Sequence, residues 1–483
     1  MEFTLPDLAP ALPEMVLLGM ACVVLLVDLF WPGRERSNTY VVAQLSLLAT
    51  VTALAQVFQG PASTFSGHYT VDAVAVVIKA VALLIMFGVF LYGRDYLRQR
   101  NLLTGEFLVL SLFATLGLLV MASAGSLLTL YLGLEVLSLS SYALVALHRD
   151  NGAASEAAIK YFFLGALASG LILYGMSLLY GVSTSLDLAT VGQVVGEHAR
   201  AGNFTALMGL ALAMLVVGLG FKLGIAPFHM WLPDVYHGAP TAVTAFLTTV
   251  SKLAAFVLVV KLLAGAAAAL AQQWEQMLVA LTVLSLAVGN LVAIAQMNLK
   301  RMLAYSTVSH MGFFLLGVLA NTPSGMSAGL FYMVTYALTG LAAFGMIMLL
   351  SRAGFEAERI EDFRGLNRRS PWLALVMMVI LFSLAGVPPT VGFYAKLGVI
   401  RAVMQHDLLW LAIVAVIFSV VGAFYYLRVI KAMYFDEPQE QPAIAPALDV
   451  RVFMGVNGLL VLGLGVFPAP LLALCQAVFL TGR

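Results

Sequence analysis

Two lysines stand beside prolines inside segments of this sequence that are otherwise almost wholly apolar. In LGFKLGIAPFHMWLP, Lys222 precedes Pro227 by five residues, and in SLAGVPPTVGFYAKLG, Lys396 follows Pro388 and Pro389. A charged side chain at the centre of a lipid bilayer costs roughly 3 kcal/mol or more, and such groups usually handle ions or protons. A proline removes a backbone hydrogen bond and interrupts its helix. The pattern therefore predicts lysines that hold and release protons beside breaks in membrane helices.

A glutamate, a histidine and a further lysine extend this set. Glu135 lies midway along the apolar segment YLGLEVLSLSSYAL, His310 lies in AYSTVSHMGF, and Lys252 lies deep in an apolar run. A Glu135 carboxylate facing Lys222 would stabilise the charged forms of both groups. A static ion pair that only fixes helix packing is the alternative. Because histidine titrates near neutral pH and can pass a proton between its ring nitrogens, His310 fits a proton relay.

The composition identifies the class of protein. Of 483 residues, 62% are hydrophobic and 10% are charged, and the mean hydropathy of +0.98 indicates an integral membrane protein. The net charge of +1 and the lack of a basic run exclude a nucleic-acid surface. No glycine-rich nucleotide motif is present, and Cys22 and Cys475 lack metal-ligand spacing, so the sequence predicts neither a cofactor site nor a metal site. The amino-terminal residues lack signal-peptide features, so we expect the first apolar run to be retained.

Fourteen apolar runs are long enough to cross a bilayer as helices, which needs about 20 residues each. We number them spans 1 to 14, with centres near residues 21, 49, 82, 113, 136, 169, 213, 253, 285, 311, 338, 385, 418 and 465. Cytoplasmic loops are enriched in Lys and Arg. If the amino terminus is outside, the inner loops hold 16 such residues and the outer segments hold 3. Both termini are therefore predicted on the outer side.

The loop cations that decide this orientation are as follows. The outer residues are Arg200, Arg401 and Arg483. The inner residues are Arg34, Arg36, Arg94, Arg98, Arg100, Arg149, Lys300, Arg301, Arg352, Arg359, Arg364, Arg368, Arg369, Arg428, Lys431 and Arg451. The polar stretch 351–370 then becomes an inner connection between spans 11 and 12.

The spacing of the candidate residues predicts an internal repeat. Glu135 precedes Lys222 by 87 residues, and His310 precedes Lys396 by 86. Spans 4–8 would then recur as spans 9–13, inverted in the membrane because five is an odd number. The predicted fold is an all-α integral membrane protein of about 14 helices, in which spans 7 and 12 are broken. Since irregular backbone at membrane depth must be buried or must line a water-filled cavity, we expect a hydrated interior around Lys222.

The chain is thus predicted to form a single polytopic membrane domain over residues 1–483. Its parts are spans 1–3 (1–100), the first repeat (101–270), the second repeat (271–440) and span 14 (441–483).

Three further lysines lie within spans or at their edges. Lys261, near the outer end of span 8, has the position of a side chain that snorkels to the interface. Lys79 lies deeper in span 3, and no polar residue is near it in the sequence. The sequence therefore leaves its role undecided. Lys160 in span 6 is close enough to the inner surface to snorkel as well.

The segment FKLGIAPFHMWLPDVYHGAPTAVTAFLTTVSKLAAF, together with LEVLSLSSY, KRMLAYSTVSHMG and LAGVPPTVGFYAK, closely resembles one family. This family comprises the antiporter-like membrane subunits of bacterial proton-translocating NADH:quinone oxidoreductase, respiratory complex I. The resemblance covers all 14 spans. Within the family, PDVYHGAP, a lysine rather than a glutamate in span 12, and a chain ending soon after span 14 favour the subunit type without a long lateral helix.

This resemblance implies a subunit of the bacterial inner membrane that binds no redox cofactor itself. NADH, FMN, iron–sulfur clusters and quinone would belong to partner subunits, whose electron transfer drives proton movement here. Matched to the family position by position, Glu135 and Lys222 would form an ion pair. Lys252 and His310 would form a central proton relay, and Lys396 would be the group on the exit side. Four secondary positions also match the family: Glu106, Lys160, His229 and Asp234. The last two could equally be interfacial residues that position the end of span 7.

Two other functions fit the same residues. A subunit of a multi-subunit sodium/proton antiporter or of a membrane-bound hydrogenase would share the fold and the lysines, and the antiporter would transport sodium without NADH or quinone. In a purely structural membrane subunit, the ion pairs would only hold helices together. Loss of the Lys222 charge would then alter assembly without altering pumping.

Overall fold

A computed structural model describes residues 6–31, 36–58, 60–438 and 447–480 of the chain. Apolar runs of span length form α-helices because the bilayer core offers no water to backbone amides, so each segment must satisfy its own hydrogen bonds. Two of the arginines used for the orientation, Arg34 and Arg483, lie outside the described residues, as do the first five residues.

The α-helices are numbered in chain order. They are α1 (Leu12–Phe30), α2 (Ser37–Val57), α3 (Ala73–Arg98), α4 (Gly105–Ala122), α5 (Leu127–Val145), α6 (Gly152–Ser183), α7 (Leu188–Arg200), α8 (Ala206–Leu223), α9 (Trp231–Gly238), α10 (Thr241–Thr248), α11 (Val250–Lys261), α12 (Ala271–Ala295), α13 (Leu299–Leu319), α14 (Pro323–Leu350), α15 (Leu366–Arg369), α16 (Pro371–Ala385), α17 (Val391–Met404), α18 (Leu409–Phe435), α19 (Leu448–Val466) and α20 (Ala469–Leu480).

The predicted spans correspond to these helices. Within the described residues, 13 helical stretches are long and apolar enough to cross a membrane. They account for every predicted span except span 12, which consists of the two shorter helices α16 and α17. Every predicted span centre falls on a helix, so the prediction of a multi-pass α-helical membrane protein with about 14 spans is confirmed.

Three spans are interrupted. Span 7 divides into α8 and α9 around Pro227, and span 12 divides into α16 and α17 around Pro388 and Pro389, as predicted. Span 8 divides at Thr249 into α10 and α11, which the sequence analysis did not predict because neither proline nor glycine marks the site. The Thr249 hydroxyl donates to the Ala245 carbonyl at 2.7 Å, and such bonds to the preceding turn bend helices.

Two elements outside the spans were also not predicted. A short antiparallel hairpin pairs β1 (Ala62–Thr64) with β2 (Tyr69–Val71), a small exception to the all-α prediction. Strands of three residues are too short to leave a periodic pattern in the sequence. The helix α7 lies between spans 6 and 7 and buries only Val191, Val195 and Gly196.

The centre of the bundle consists of spans 8, 10 and 11. Helices α10, α11, α13 and α14 are almost wholly buried, whereas α1, α18 and α19 expose apolar side chains such as Val420. Residues on α11 and α13 therefore lie in the protein interior. We call the side of the bundle at which α1 begins the starting face, and the other side the opposite face.

Candidate functional site

The first helix break is closed by a glycine cap. Gly224 adopts a left-handed conformation (φ 76°), and the amides of Gly224 and Ile225 both donate to the Gly220 carbonyl, at 2.9 and 3.0 Å. This is the usual end of a helix in which glycine follows the last helical residue. The next carbonyl, of Phe221, accepts a hydrogen bond from the Trp231 indole at 3.0 Å. The carbonyls freed by the break are thus bound by specific groups.

Lys252 binds the remaining carbonyls at the end of α8. Its side chain is fully buried, and Nζ donates to the Leu223 carbonyl at 2.7 Å and to the Lys222 carbonyl at 3.3 Å. Its ammonium also lies 5.1 Å from the centre of the Trp231 ring. A cation at a helix carboxyl terminus is favoured by the unpaired carbonyls and the helix dipole. Lys252 and Lys222 therefore meet at one helix end.

Lys222 contacts serines rather than an acid. Its Nζ donates to Ser138 Oγ at 2.9 Å and to Ser169 Oγ at 3.0 Å. The predicted direct pair with Glu135 is not formed: the carboxylate is within electrostatic range of Lys222, but one of its oxygens has no hydrogen-bond partner among the described residues. The physical reason is that Ser138, one helical turn after Glu135, meets the ammonium first, while Glu135 lies on a partly exposed side of α5.

A small cavity of about 10 Å³ lies beside Lys222. Its lining includes the polar side chains of Ser138, Tyr161 and Ser251 and the ring of Trp231. A cavity with several polar groups is the kind of site that can hold a water molecule. The expected hydrated interior around Lys222 therefore has a location, although its hydration stays a prediction.

The break in span 12 repeats the design of the break in span 7. Gly386 is left-handed (φ 86°), and the amides of Gly386 and Val387 both donate to the Phe382 carbonyl at 2.9 Å. Lys396 reaches back across the break, and its Nζ donates to the Ala385 carbonyl at 2.8 Å. As at the first break, a buried lysine binds the last carbonyl of the interrupted helix.

Lys396 also connects to the centre of the bundle. Its Nζ donates to Ser419 Oγ at 2.9 Å and lies 4.7 Å from the centre of the Phe313 ring. A cavity of about 10 Å³ is lined by both Lys396 and His310, and also by Tyr332 and Ser383. The two candidate residues therefore border one small space.

His310 is held at both ring nitrogens. Nδ1 lies 2.6 Å from the Tyr332 hydroxyl, and Nε2 lies 3.1 Å from the Tyr426 hydroxyl. Tyr426 in turn lies 2.6 Å from Ser306 Oγ. A neutral imidazole donates at one nitrogen and accepts at the other, so a proton can enter on one side and leave on the other.

A buried tyrosine lies between the lysine group of the first break and His310. The Tyr236 hydroxyl is directed towards Thr248, Thr307 and Tyr336 but makes no hydrogen bond among the described residues. The Tyr336 hydroxyl donates to Thr307 at 2.8 Å, and its ring lies 5.0 Å from that of His310. Polar groups thus extend from α9 to α13 through the buried centre.

Known proteins are similar to this chain over most of its length. The family model described as NADH:quinone oxidoreductase/Mrp antiporter, TM, matches residues 124–422. NADH-quinone oxidoreductase subunit N of Thioalkalivibrio sulfidiphilus is 53% identical over 475 residues, which cover 98% of both chains. The chain belongs to the NADH-quinone oxidoreductase subunit N family. This family is the subunit type that the sequence favoured.

Chains of two solved membrane complexes share the whole fold. A chain of respiratory complex I from Thermus thermophilus matches with a TM-score of 0.82 and 33% identity, covering 96% of this chain and 99% of that one. A chain of an archaeal membrane-bound sulfane sulfur reductase matches with a TM-score of 0.85 and 25% identity, over 98% and 97% of the two chains.

The secondary positions of this subunit N family member lie in three separate places. Asp234 lies between Lys160 and Arg301, at 2.7 and 2.8 Å, so it joins α6, α9 and α13. Glu106 lies away from the centre, 3.8 Å from Arg149, and both side chains are largely exposed. His229 lies in the break of span 7, and its buried Nδ1 has no hydrogen-bond partner among the described residues.

Lys79 has a partner that the sequence analysis missed. Its Nζ lies 2.6 Å from Glu14 Oε1 and 3.0 Å from the Tyr69 hydroxyl, which donates to Glu14 Oε2. Lys79 and Tyr69 are buried, and Glu14 is 7% exposed. Glu14 lies near the amino terminus, and no local sequence signal links it to Lys79, 65 residues later. Lys261 lies at the end of α11, 3.8 Å from Asp72.

The remaining predictions concern metals and cysteines. Among the residues that the structure describes, no group of three or more His, Cys, Asp or Glu side chains is placed to hold a metal ion. Cys22 is exposed on α1 and Cys475 is buried, in keeping with lipid-facing and packing positions.

Proposed function

We propose that this chain carries protons across the bacterial inner membrane as subunit N of a proton-translocating NADH:quinone oxidoreductase. Protons would pass through Lys222, Lys252, His310 and Lys396, and Glu135 would act on the Lys222 charge from within electrostatic range. NADH, FMN, iron–sulfur clusters and quinone would act in partner subunits, which include other antiporter-like membrane subunits. Full-length similarity to subunit N relatives supports this assignment.

The observation that carries the proposal is a difference between two sets of lysines. Among the described residues, no carboxylate lies within 4 Å of Lys222, Lys252 or Lys396, whose Nζ atoms donate only to hydroxyl and carbonyl oxygens. The other three intramembrane lysines each face a carboxylate: Lys79, Lys160 and Lys261. A buried cation without a counter-ion is costly, so these three central lysines can give up a proton where paired lysines hold theirs.

The neighbours of these lysines suit proton transfer. A neutral Lys252 amine can accept a proton, and both the amine and the ammonium carry N–H donors for the two carbonyls. Uptake and release can therefore occur without breaking the α8 glycine cap. Lys396 does the same at the Ala385 carbonyl, across one cavity from His310. His310 supplies the group that accepts at one ring nitrogen and donates at the other.

The direction of the chain in the membrane follows from its loop cations. We infer that the starting face is periplasmic and that both termini lie there, because Lys and Arg concentrate in the loops of the opposite face. The matching caps at Gly224 and Gly386, each with a lysine on the last carbonyls, support the two five-span repeats. The proposed parts of the domain remain 1–100, 101–270, 271–440 and 441–483.

The proposal is tested with Lys222→Ala in the intact complex. Assembly is checked on a native gel, and NADH:quinone turnover and proton pumping are measured in membranes, with Lys431→Ala as a matched surface control. We expect normal assembly with loss of pumping and of coupled turnover. Normal pumping by assembled complex would make Lys222 a packing residue, and sodium-dependent transport without NADH or quinone would favour the antiporter function instead.

A further inference from the structure

A fourth lysine shares the pattern of the central three. Lys300 was assigned to an inner loop, but it is the second residue of α13 and only 2% exposed. Its Nζ donates to the Ala239 carbonyl, directly after α9, at 2.9 Å. Among the described residues, no carboxylate lies within 4 Å of it. Lys300 therefore binds the end of α9 as Lys252 binds the end of α8.

Lys300 borders a large cavity on the opposite face. The cavity measures about 380 Å³, and its lining includes His237, Lys300, Glu356 and Glu358. It reaches the surface at exposed residues such as Asn151. Lys300 is therefore both buried and adjacent to a space that opens to the aqueous phase.

The two acids of this cavity are held in place by cations and hydroxyls. Glu356 accepts from Arg100 at 2.8 Å and from Tyr96 at 3.0 Å, and Glu358 lies 3.5 Å from His237. Burial raises the pKa of Glu358, but the His237 hydrogen bond and the Lys300 charge outweigh it and lower the pKa overall. Both carboxylates are within electrostatic range of Lys300. Carboxylates at the mouth of a cavity concentrate cations, including hydronium, near it.

A polar stripe leads inward from Lys300. Thr307 follows it by seven residues on α13 and His310 by ten, so all three lie along one side of the helix. At 1.5 Å per residue, Lys300 and His310 are about 15 Å apart along the axis. Tyr236 and Tyr336 border Thr307, which places hydroxyl groups inside this interval.

We propose that Lys300 takes up protons from the cavity of the opposite face and passes them along the α13 stripe towards His310. This inference rests on the proposed proton-carrying function and adds the uptake residue to it. The Lys300 amine accepts a proton from hydronium in the cavity, which leaves water, and becomes an ammonium bound to the Ala239 carbonyl. It then returns to the amine by donating that proton inward.

The alternative is that Lys300 only caps α9, and Lys300→Arg separates the two. Arginine retains a positive charge and hydrogen-bond donors for the carbonyl, but it does not lose its proton in proteins. In the assembled complex, we expect Lys300→Arg and Lys300→Met to cut pumping and coupled turnover by about a hundredfold, the size typical of one lost proton-transfer group. Lys431→Met, at an exposed ion pair of the same face, is the control.

A second readout distinguishes slow uptake from a distorted helix. If uptake limits Lys300→Met, its residual rate rises relative to wild type as the pH on the opposite face falls, whereas a structural defect lowers the rate equally at every pH. Wild-type pumping by Lys300→Arg, a pH-independent defect, or failure of both variants to assemble would overturn the inference. Lys222→Ala, measured in parallel, shows whether the proposed function itself has failed.

Discussion

The Lys252 ammonium donates to the carbonyl of Leu223, which lies 29 residues earlier in the chain, at the end of a helix in a different span. This contact joins the helix break of span 7 to the central helix α11. Because Lys396 makes the corresponding contact with Ala385 in span 12, a lysine at an interrupted helix end is the repeated feature of the site.

Replacing Lys252 by methionine tests what this contact contributes. Two carbonyls would lose their donor, and an unsatisfied buried group costs about 1–3 kcal/mol. We expect the assembled Lys252→Met complex to lose proton pumping and to show a lower thermal transition, measured by scanning fluorimetry. Lys261→Met, at the end of the same helix, should leave pumping intact.

Removing both serines that contact Lys222 should lower coupled turnover by more than the two single substitutions combined. Each of Ser138→Ala and Ser169→Ala leaves one hydroxyl for the ammonium, whereas the double variant leaves none. We expect single variants within about threefold of wild-type coupled turnover and at least a tenfold loss in the double variant, since a net hydrogen bond to a charged group is worth about 1.5–3 kcal/mol. Ser141→Ala, whose hydroxyl binds the Leu137 carbonyl, is the control. If the effects on coupled turnover are small and additive, the Lys222 ammonium does not depend on either serine hydroxyl for its function.

The relay at His310 predicts a difference between neighbouring tyrosines. Tyr332→Phe removes the partner of Nδ1, whereas Tyr425→Phe removes a hydroxyl that binds Asn290 instead. We expect only Tyr332→Phe to slow proton pumping, by about tenfold or more, because it leaves one side of the imidazole without a proton partner. Equal rates in both variants would remove His310 from the path.

The pair of Glu14 and Lys79 is expected to be a packing element. Removing one partner of a buried ion pair costs about 3–5 kcal/mol, whereas replacing both by apolar side chains of similar size is often neutral. Lys79→Met alone should therefore reduce the amount of assembled complex, and Glu14→Leu with Lys79→Met should restore both assembly and pumping. A double variant that assembles without pumping would give this pair a role in proton transfer.

Much of the fold and part of the site could be predicted from the sequence. Hydropathy defines the spans because the bilayer requires about 20 apolar residues per helix. Pro227, Pro388 and Pro389 locate two breaks because a proline cannot donate to the helix ladder. Lys222, Lys252 and Lys396 could be predicted as functional residues because a charged side chain inside a membrane span is costly and usually has a functional role.

The contacts of these lysines could not be predicted. Lys252 binds backbone carbonyls, which every residue carries and no sequence pattern marks. Lys222 prefers two serines to Glu135, a choice that depends on side-chain reach across three helices. The bend at Thr249 accompanies one hydrogen bond from its hydroxyl to the preceding turn, which no sequence pattern marks. Lys300 was predicted to be a loop residue because the sequence does not show that α13 begins at Leu299.

The most direct test of the proton path is the number of protons pumped per electron pair by the assembled complex with Lys396→Met. The variant keeps the side-chain length but removes the group that binds Ala385 and faces His310 across their common cavity. We expect normal assembly on a native gel, with pumping and coupled turnover falling to less than about one tenth of wild type. An assembled variant that pumps at the wild-type ratio and rate would contradict it.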